Sequence, residues 1–351
     1  MTEKRIVLVT GVAGYWGLRL AARLATEAGL RIVGLDVEPP EAEIEGLDFV
    51  PADVRNPALV DLLKAESVDT VCHLAFQEMA RPSEAAFDLN VMGTTHLLGA
   101  CAEAGVRKFV FKSSTAVYGA RPSNSAFLAE GHALRGSKRS GTVRDLVEIE
   151  RFCDGFSHQQ TDLALTILRF PGIVGPTADT SMTRFLQEPA APSLLGFDPM
   201  MQLIHEDDVV EALAHATLGD AAGVFNVAAE DALPLSKIRG LAGKPYRALL
   251  HLFAYWGTDL LSSAGRKPTR YTPIELDYLR YPWIGDLTRM RDEFGFEPRY
   301  TAEETLREFV ESRQPGRYRS GSVSLARNEE QLRAIIEERR QASTEQGGDD
   351  D

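Results

Sequence analysis

The chain has 351 residues, enough for one large or two small domains with a sizeable core. Its formal net charge of −13 argues against nucleic acid, because phosphates favour Lys and Arg. Three cysteines without a CxxC pair or a His cluster argue against disulfides and a metal site. The N-terminus has no signal-peptide pattern, and no apolar run reaches the ~18 residues of a membrane span. We therefore expect a cytoplasmic protein in a reducing compartment, with no membrane partner.

The first half of the sequence alternates strand-like and helix-like segments. Compact apolar runs predict strands at 5–10, 31–36, 47–50, 69–74, 107–113, 163–170 and 223–228. Helical spacing predicts helices at about 15–28, 56–66, 83–104, 142–160 and 205–219. Strands that are apolar throughout and alternate with helices indicate a parallel sheet covered on both faces. The predicted fold class is therefore α/β, a doubly wound Rossmann sheet.

The alternation weakens after about residue 175. Residues 177–204 lack clear periodicity, and residues 229–314 are typical of short helices broken by Pro and Gly. We predict that these segments form a smaller substrate-binding lobe, whereas 1–176 and 205–228 form the dinucleotide-binding domain. Residues 315–351 are predicted to be a charged extension that is partly disordered.

The most specific motif is VTGVAGYWG, residues 9–17, between the first predicted strand and the first predicted helix. Gly11 permits a tight turn out of the strand, Gly14 lets the backbone approach a pyrophosphate, and Gly17 lets the helix lie close to the strand. The pyrophosphate would then meet free N–H groups at the helix N-terminus. This context indicates a dinucleotide site.

The end of the second predicted strand indicates which dinucleotide is bound. Asp36 can accept hydrogen bonds from ribose hydroxyls and would repel a 2′-phosphate, and residues 37–45 contain no Arg or Lys. The sequence therefore favours NAD over NADP. Asp53, after the third predicted strand, is expected either to meet the adenine or to cap a helix.

Several motifs occur together in a fixed order. They are VTGVAGYWG, Asp36, ADVRN (52–56), HLAF (73–76), NVMGTTHLL (90–98), SSTAVYG (113–119), LRFPGIVGP (168–176) and IHEDDVVEAL (204–213). With this set, the chain resembles the extended short-chain dehydrogenase/reductase family, also called the NAD-dependent epimerase/dehydratase family, over about residues 5–312.

The resemblance implies roles for individual residues. The implied NAD contacts are Gly11, Gly14, Tyr15, Trp16, Gly17, Asp36, Asp53, Val54, Leu74, Ala75, Phe76, Phe170, Pro171 and Ile173. Ser114 matches the family's active-site serine or threonine. Helices 83–104 and 142–160 resemble the pair through which many members form homodimers. The partners implied are a small-molecule substrate and a second copy of the chain.

The resemblance fails where the family carries its proton-transfer pair. Family chemistry needs a Tyr that exchanges a proton with the substrate and a Lys four residues later. Counting back from Arg169 places this pair at Thr142 and Leu146, and Glu150 matches a glutamate often found four residues after the lysine. An alkyl hydroxyl is a very poor acid, and leucine carries no charge. We therefore expect a rebuilt active site or a lost one.

Three residues are the catalytic candidates: Ser114, Thr142 and Lys112. Lys112 lies two residues before Ser114, so both side chains face the same side if the strand continues. A lysine directed to the surface at the strand end is the alternative for Lys112. We interpret Tyr118 as part of the site wall, and His132 and Lys138 as solvated loop residues.

The substrate end also departs from the family pattern. Members that act on nucleotide sugars usually carry a basic residue ahead of the IH segment, and Gln202 is near that position here. Other residues could contact a phosphate, namely Arg184, Arg270, Arg280 and Arg289. An apolar substrate or core packing would explain Phe185, Leu194, Phe197, Met200 and Met201.

Three functions remain open from the sequence. The first is an epimerase, dehydratase or reductase that acts on a small hydroxyl or carbonyl substrate, a nucleotide sugar or a related compound, with a non-standard site. The second is an NAD-binding regulatory or scaffold protein that has lost catalysis. The third uses the fold for non-redox chemistry.

Overall fold

The computed structural model describes residues 4–159, 162–188, 192–245, 247–249 and 274–313. A sheet of seven parallel strands forms its centre. Its strands are β1 Arg5–Thr10, β2 Leu30–Asp36, β3 Leu47–Pro51, β4 Thr70–His73, β5 Lys108–Ser114, β6 Ala164–Phe170 and β10 Gly223–Asn226. They are arranged in the order β10-β6-β5-β4-β1-β2-β3. The order reverses beside β1, which is the crevice where doubly wound sheets bind ligands.

Helices cover both faces of this sheet, and the predicted doubly wound α/β fold is confirmed. The helices are α1 Tyr15–Leu24, α2 Leu59–Ala65, α3 Glu84–Phe87, α4 Gly93–Ala104, α5 Gly141–Ser157, α6 Ser181–Gln187, α7 Glu206–Leu218, α8 Leu235–Ala242 and α9 Ala302–Arg313. Helices α1 and α7 pack on one face, and α2, α4 and α5 pack on the other. A π-helical turn at Asp88–Met92 joins α3 to α4, so the predicted helix 83–104 is one continuous rod with a local widening.

A second, smaller sheet lies beyond the end of the large one. It contains β7 Gly172–Val174, β9 Met200–His205 and β11 Ala232–Pro234, and a further pair joins β8 Pro192–Leu194 to β12 Arg247–Leu249. Strand β7 pairs in parallel with β9, so this sheet crosses the predicted boundary at residue 176. The described parts of 177–204, which lack periodicity in sequence, are therefore ordered by pairing and packing rather than by local pattern.

Two predicted helix boundaries were wrong, and local hydrogen bonds explain one of them. The helix predicted at 56–66 begins at Leu59, because Asp53 and Asn56 form turns: the Asp53 carbonyl accepts from the Asn56 N–H at 2.9 Å, and the Asn56 side chain accepts from the Ala58 N–H at 2.9 Å. The helix predicted at 15–28 ends at Leu24. Within the described ranges, every helix is too short or too polar to cross a bilayer. The predicted extension 315–351 lies outside the described residues.

Candidate functional site

The glycine loop between β1 and α1 is built by backbone packed directly on backbone. Gly11 has a φ of +71°, and a Cβ there would lie 2.5 Å from the Ala75 nitrogen. A Cβ on Gly17 would lie 2.0 Å from the Gly11 carbonyl oxygen. Helix α1 begins after Gly14 without a side-chain cap. The first turn therefore offers backbone N–H groups to an anion, as a pyrophosphate requires.

Asp36 lies beside this loop, as predicted. One carboxylate oxygen accepts from the Ala13 N–H at 3.0 Å, and the other accepts from the Val37 N–H at 2.8 Å. Each oxygen keeps a lone pair for a further donor, such as a ribose hydroxyl. The uncapped helix end and this carboxylate together fit the pyrophosphate and the adenosine ribose of a dinucleotide.

The loop after β3 contains Asp53 and Val54. The Asp53 carboxylate accepts from the side chain and the backbone of Arg55, and this bonding lowers the pKa of Asp53 below its usual value. The predicted capping role was wrong, because α2 begins only at Leu59 and its cap is Ala58. Val54 is buried against α4, where a Cβ on Gly93 would lie 2.9 Å from the Val54 side chain.

A cleft of about 380 Å³ opens at the carboxyl ends of the strands, between the large sheet and the smaller lobe. Its volume is in the range of small-molecule sites. The predicted site residues that line it are Trp16, Leu74, Phe76, Lys112, Ser114, Thr142, Phe170, Pro171 and Ile173. The structure thus brings the predicted catalytic candidates and the residues expected along the nicotinamide into one cleft.

Thr142 fastens the start of α5 to a loop. Its hydroxyl accepts from the Met79 N–H at 2.8 Å, and its own N–H donates to the Met79 carbonyl at 2.9 Å. A Cβ on Gly141 would lie 2.4 Å from the Arg81 carbonyl, so helix and loop backbones are in contact. The Thr142 hydroxyl is therefore engaged in a hydrogen bond with the Met79 backbone. This arrangement argues against the catalytic role considered for it.

Leu146 takes an apolar place one turn later in the same helix. It is 4 % exposed and belongs to the core cluster on the α5 side of the sheet. Helix α5, with the sequence GTVRDLVEIERFCDGFS, contains neither tyrosine nor lysine. The cleft wall that this helix forms next to Leu146 is apolar.

Lys112 reaches into the cleft from the end of β5. Its ammonium lies 5.2 Å from the ring centre of Trp16, a distance at which a cation and an aromatic face attract. Among the described residues, no hydrogen bond or ion pair holds this ammonium. Burial lowers the pKa of Lys112 below its usual value, and the carboxylate of Glu78 partly opposes that shift. The alternative of a lysine directed to the protein surface was therefore wrong.

Ser114 ends β5 and begins a short 3₁₀ turn, Thr115–Tyr118. Its hydroxyl oxygen accepts from the Ala116 N–H at 3.2 Å. No described residue accepts the hydroxyl hydrogen, which leaves Ser114 able to donate into the cleft.

A buried polar network supports the floor of the cleft. The Arg169 guanidinium donates to Glu150 at 2.9 Å and to the Tyr118 hydroxyl at 2.7 Å, and Glu150 also accepts from the Ser113 hydroxyl. Tyr118 in turn donates to Asn226 at 2.7 Å. Burial raises the pKa of Tyr118 to about 12, so it stays protonated. Tyr118 is fully buried and is not among the residues that line the cleft, so it lies behind the site wall and does not form part of it as predicted.

His73 also lines the cleft, and sequence reasoning assigned it no role although it opens the HLAF motif. Its ring lies between the Thr10 hydroxyl at 2.7 Å and the Thr94 hydroxyl at 2.9 Å. Burial lowers the pKa of His73 to about 3, so the ring is neutral at physiological pH. It fastens β1 and α4 together below the cleft.

The lobe contributes residues that sequence reasoning missed. Tyr278 donates its hydroxyl to the Ala116 carbonyl at 2.8 Å and packs edge-on against Trp283, with ring centres 5.0 Å apart. Both line the cleft together with Glu275 and Met182. No local motif marks these residues, because they reach the site only through the packing of the lobe.

The candidate phosphate-binding arginines lie in different surroundings. Arg184 lines the cleft, Arg280 stacks against Phe197 and Tyr281, Arg289 pairs with Glu293, and Arg270 lies outside the described residues. Among the apolar candidates, Phe185, Leu194 and Met201 are buried core residues of the lobe, so core packing explains them. Neither His132 nor Lys138 is among the residues that line the cleft.

Comparison with known proteins identifies the family. The sequence model of the NAD dependent epimerase/dehydratase family matches residues 7–228. The chain belongs to this family. Within the described residues, no group of three or more His, Cys, Asp or Glu could hold a metal ion.

Relatives match most of the chain. An uncharacterized protein of Mycobacterium tuberculosis is 34% identical over 321 residues, which cover 88% of this chain and 84% of that protein. The short-chain dehydrogenase/reductase family 42E member 1 of Xenopus laevis is 25% identical over 257 residues, or 69% of this chain and 63% of that protein. The similarity therefore extends well beyond the glycine loop.

Solved structures share the fold. MoeE5 in complex with UDP-glucuronic acid and NAD has a TM-score of 0.66 and 25% identity, covering 88% of this chain and 98% of that one. A UDP-glucose 4-epimerase of Thermotoga maritima with UDP-glucose has a TM-score of 0.65 and 21% identity, with coverage of 88% and 98%. The family is NAD-dependent, and the first of these neighbours holds NAD.

Proposed function

We propose that this protein is an NAD-dependent oxidoreductase or epimerase that acts on a small hydroxyl or carbonyl substrate, a nucleotide sugar or a related compound. Its site would lack the Tyr–Lys pair and use Lys112 and Ser114 instead. The observation that carries this proposal is the Lys112 ammonium, which lies unpaired by any described residue in the same cleft as Ser114. Family membership and the NAD-bound neighbour support the assignment to NAD-dependent epimerases and dehydratases.

The residues that would hold NAD follow from the site. The loop with Gly11, Gly14 and Gly17 would hold the pyrophosphate, and Asp36 would accept from the adenosine ribose. Residues 170–173 would lie along the nicotinamide. Bound NAD would supply hydride exchange with the reacting carbon of the substrate.

Ser114 and Lys112 would act on the substrate oxygen. Ser114 would donate a hydrogen bond to it, and the Lys112 ammonium would stabilise the negative charge that develops there. Leu146 would exclude water beside this oxygen, which strengthens the interaction with the charge of Lys112. Thr142 has no part in proton transfer in this scheme, because Met79 occupies its hydroxyl.

Substitution of Lys112 tests this assignment. We expect Lys112→Met to lower turnover about 10²-fold, or to weaken NAD binding where no substrate is known, because the cleft loses its charge next to Ser114. Lys112→Arg should retain most of the turnover or NAD affinity of the unaltered protein, because it retains the positive charge. Lys108 lies on the same face of the same strand but donates to the Gly219 and Ala221 carbonyls. Lys108→Met is the matched control, expected to lower stability and not NAD affinity. Unchanged values in Lys112→Met would sink the proposal.

An NAD-binding regulatory or scaffold protein without catalysis is the second candidate. The contacts of Thr142 and Leu146 favour this second candidate. At the two proton-transfer positions, the Thr142 hydroxyl is hydrogen-bonded to the Met79 backbone and the Leu146 side chain packs in the core. NAD that co-purifies and never changes its ultraviolet absorbance with candidate substrates would support this alternative. Reduction of the bound NAD by any of them would exclude it.

A cytoplasmic homodimer through helices 83–104 and 142–160 remains a prediction. Met92, on the first of these helices, is 52% exposed, which is unusual for a large apolar side chain. Sedimentation of Met92→Glu against the unaltered protein tests the interface. A dimer that persists in the variant contradicts it.

A further inference from the structure

Large apolar side chains line the cleft on both of its long sides, beside the polar groups described above. Phe76 and Leu146 line it on the side of the large sheet, and Met182, Tyr278 and Trp283 line it on the side of the lobe. Trp283 is 8% exposed and Tyr278 is 5% exposed, so these rings are held in place before any ligand arrives. A preformed apolar slot of this kind binds hydrocarbon well and binds a hydrated anion poorly.

Strand β9, which pairs with the cleft-lining strand β7, contains no Lys or Arg. Its sequence is MMQLIH. The side-chain amide of Gln202 on this strand forms two hydrogen bonds with Gly285. It accepts from the Gly285 N–H at 2.8 Å and donates to the Gly285 carbonyl at 3.0 Å. Since Gln202 is 5% exposed, it holds the segment after Trp283 and is not available to a phosphate.

The charges that line the cleft also disfavour a diphosphate. In the described part of the chain they are two cations, Lys112 and Arg184, and two carboxylates, Glu78 and Glu275. Arg184 already donates to Asp179 at 2.9 Å and lies 4.0 Å from Glu78. Among the described residues, a diphosphate at this end would therefore lose water without gaining an unopposed cationic partner.

We infer that the substrate is an uncharged, largely hydrocarbon alcohol or ketone without a phosphate group. Its oxygen would meet Ser114, and its hydrocarbon body would lie against Met182, Tyr278 and Trp283. This inference rests on the proposed function and narrows its substrate class away from nucleotide sugars. The UDP sugars are the ligands named for the solved neighbours, so the difference is testable directly.

Calorimetric titration of the NAD-loaded full chain with cyclohexanone, a decalone and a tricyclic ketone is the first test. We expect affinity to rise about fourfold for each buried CH₂, which corresponds to ~0.8 kcal/mol. UDP, as the diphosphate probe, should neither bind nor displace the largest ketone. UDP that binds in competition with the ketone, or ketone affinity that is flat across the series, overturns the inference.

A pair of methionine variants locates the binding. Met182 lines the cleft and is 3% exposed, whereas Met200 lies on the same lobe at 40% exposure and does not line the cleft. We expect Met182→Ala to bind the tricyclic ketone about tenfold more weakly, Met182→Leu to retain affinity, and Met200→Ala to bind as before. Thermal melting of each variant shows whether it is folded. Equal ketone affinity in folded Met182→Ala and Met200→Ala places the ketone elsewhere and refutes the assignment.

Failure of the proposed function gives a different result. Calorimetry measures the binding of the ketone series, whereas nicotinamide absorbance measures redox turnover. Ketones that bind with the expected dependence on carbon number, but are never reduced by added NADH and whose corresponding alcohols never reduce NAD, uphold the substrate class and reject the oxidoreductase. A nucleotide sugar that is turned over upholds the oxidoreductase and rejects the substrate class.

Discussion

The buried pair of Glu150 and Arg169 predicts a large and specific loss of stability. The Glu150 carboxylate accepts from the Arg169 guanidinium at 2.9 Å and from the Ser113 hydroxyl, and Glu150 and Arg169 are each only 3% exposed. In Glu150→Ala, the guanidinium stays buried without its counter-charge. Its bonds to the Tyr118 hydroxyl and the Glu130 carbonyl satisfy two N–H groups and leave its charge uncompensated.

The magnitude follows from that geometry. Removing one partner of a buried ion pair costs about 3–5 kcal/mol of unfolding free energy. With an unfolding entropy of roughly 2.1 cal/mol/K per residue over about 300 residues, this lowers Tm by roughly 5–8 °C. Glu148 lies two residues earlier in α5, and its side chain is 41% exposed in a pair with Arg151. Glu148→Ala should change the free energy by less than about 0.5 kcal/mol.

Chemical denaturation of the two single variants, of Arg169→Ala and of the double variant is the assay. The double variant should lose less than the sum of the Glu150→Ala and Arg169→Ala losses by about 1–3 kcal/mol, because no unpaired charge is then buried. A loss below about 1 kcal/mol in Glu150→Ala, or strict additivity in the double variant, would refute the reasoning. Either result would mean that water reaches the guanidinium.

Two further predictions concern the other buried groups of the site. His73 has a pKa of about 3 when folded and about 6.5 when unfolded, so below pH 6.5 the unfolded chain binds a proton that the folded chain refuses. The free energy of unfolding should therefore fall by up to about 1.4 kcal/mol per pH unit between pH 6.5 and 3. His73→Gln should remove this pH dependence when its denaturation is measured across the same range. A pH dependence that is unchanged in His73→Gln contradicts the prediction. Gly11→Ala should weaken NAD binding at least about tenfold, because its Cβ would lie 2.5 Å from the Ala75 nitrogen and its φ is +71°. Fluorescence titration with NAD measures this, and wild-type affinity in a folded Gly11→Ala would show that the loop is not the pyrophosphate site.

The central sheet could be predicted from the sequence because its signals are local. A parallel strand buried on both faces is an unbroken apolar run, as in RIVLVT, and the glycine spacing at 11–17 admits few other structures. Asp36 and Ser114 were placed in the same way, by their distance from such runs. Each lies where expected, at the carboxyl end of a strand.

The rest of the site could not be predicted, because its determinants are distant in sequence. Tyr278 and Trp283 reach the cleft from a lobe whose strands pair across long loops, as β7 does with β9. The Thr142 hydroxyl is used by Met79, 63 residues away, and no pattern around Thr142 reveals that contact. The sequence does not decide whether the Lys112 side chain points to the cleft or to the surface, because strand parity determines the face of the sheet but not where the end of a flexible side chain lies.

We expect the residues at positions 112 and 146 to affect each other's stability. Both line the same cleft, and burial already lowers the pKa of Lys112 there. A second ammonium at position 146 would add like-charge repulsion to that desolvation and would lower the stability of the fold. The double variant Lys112→Ser with Leu146→Lys should therefore be more stable than Leu146→Lys alone, and equal stability of the two would show that the positions are independent.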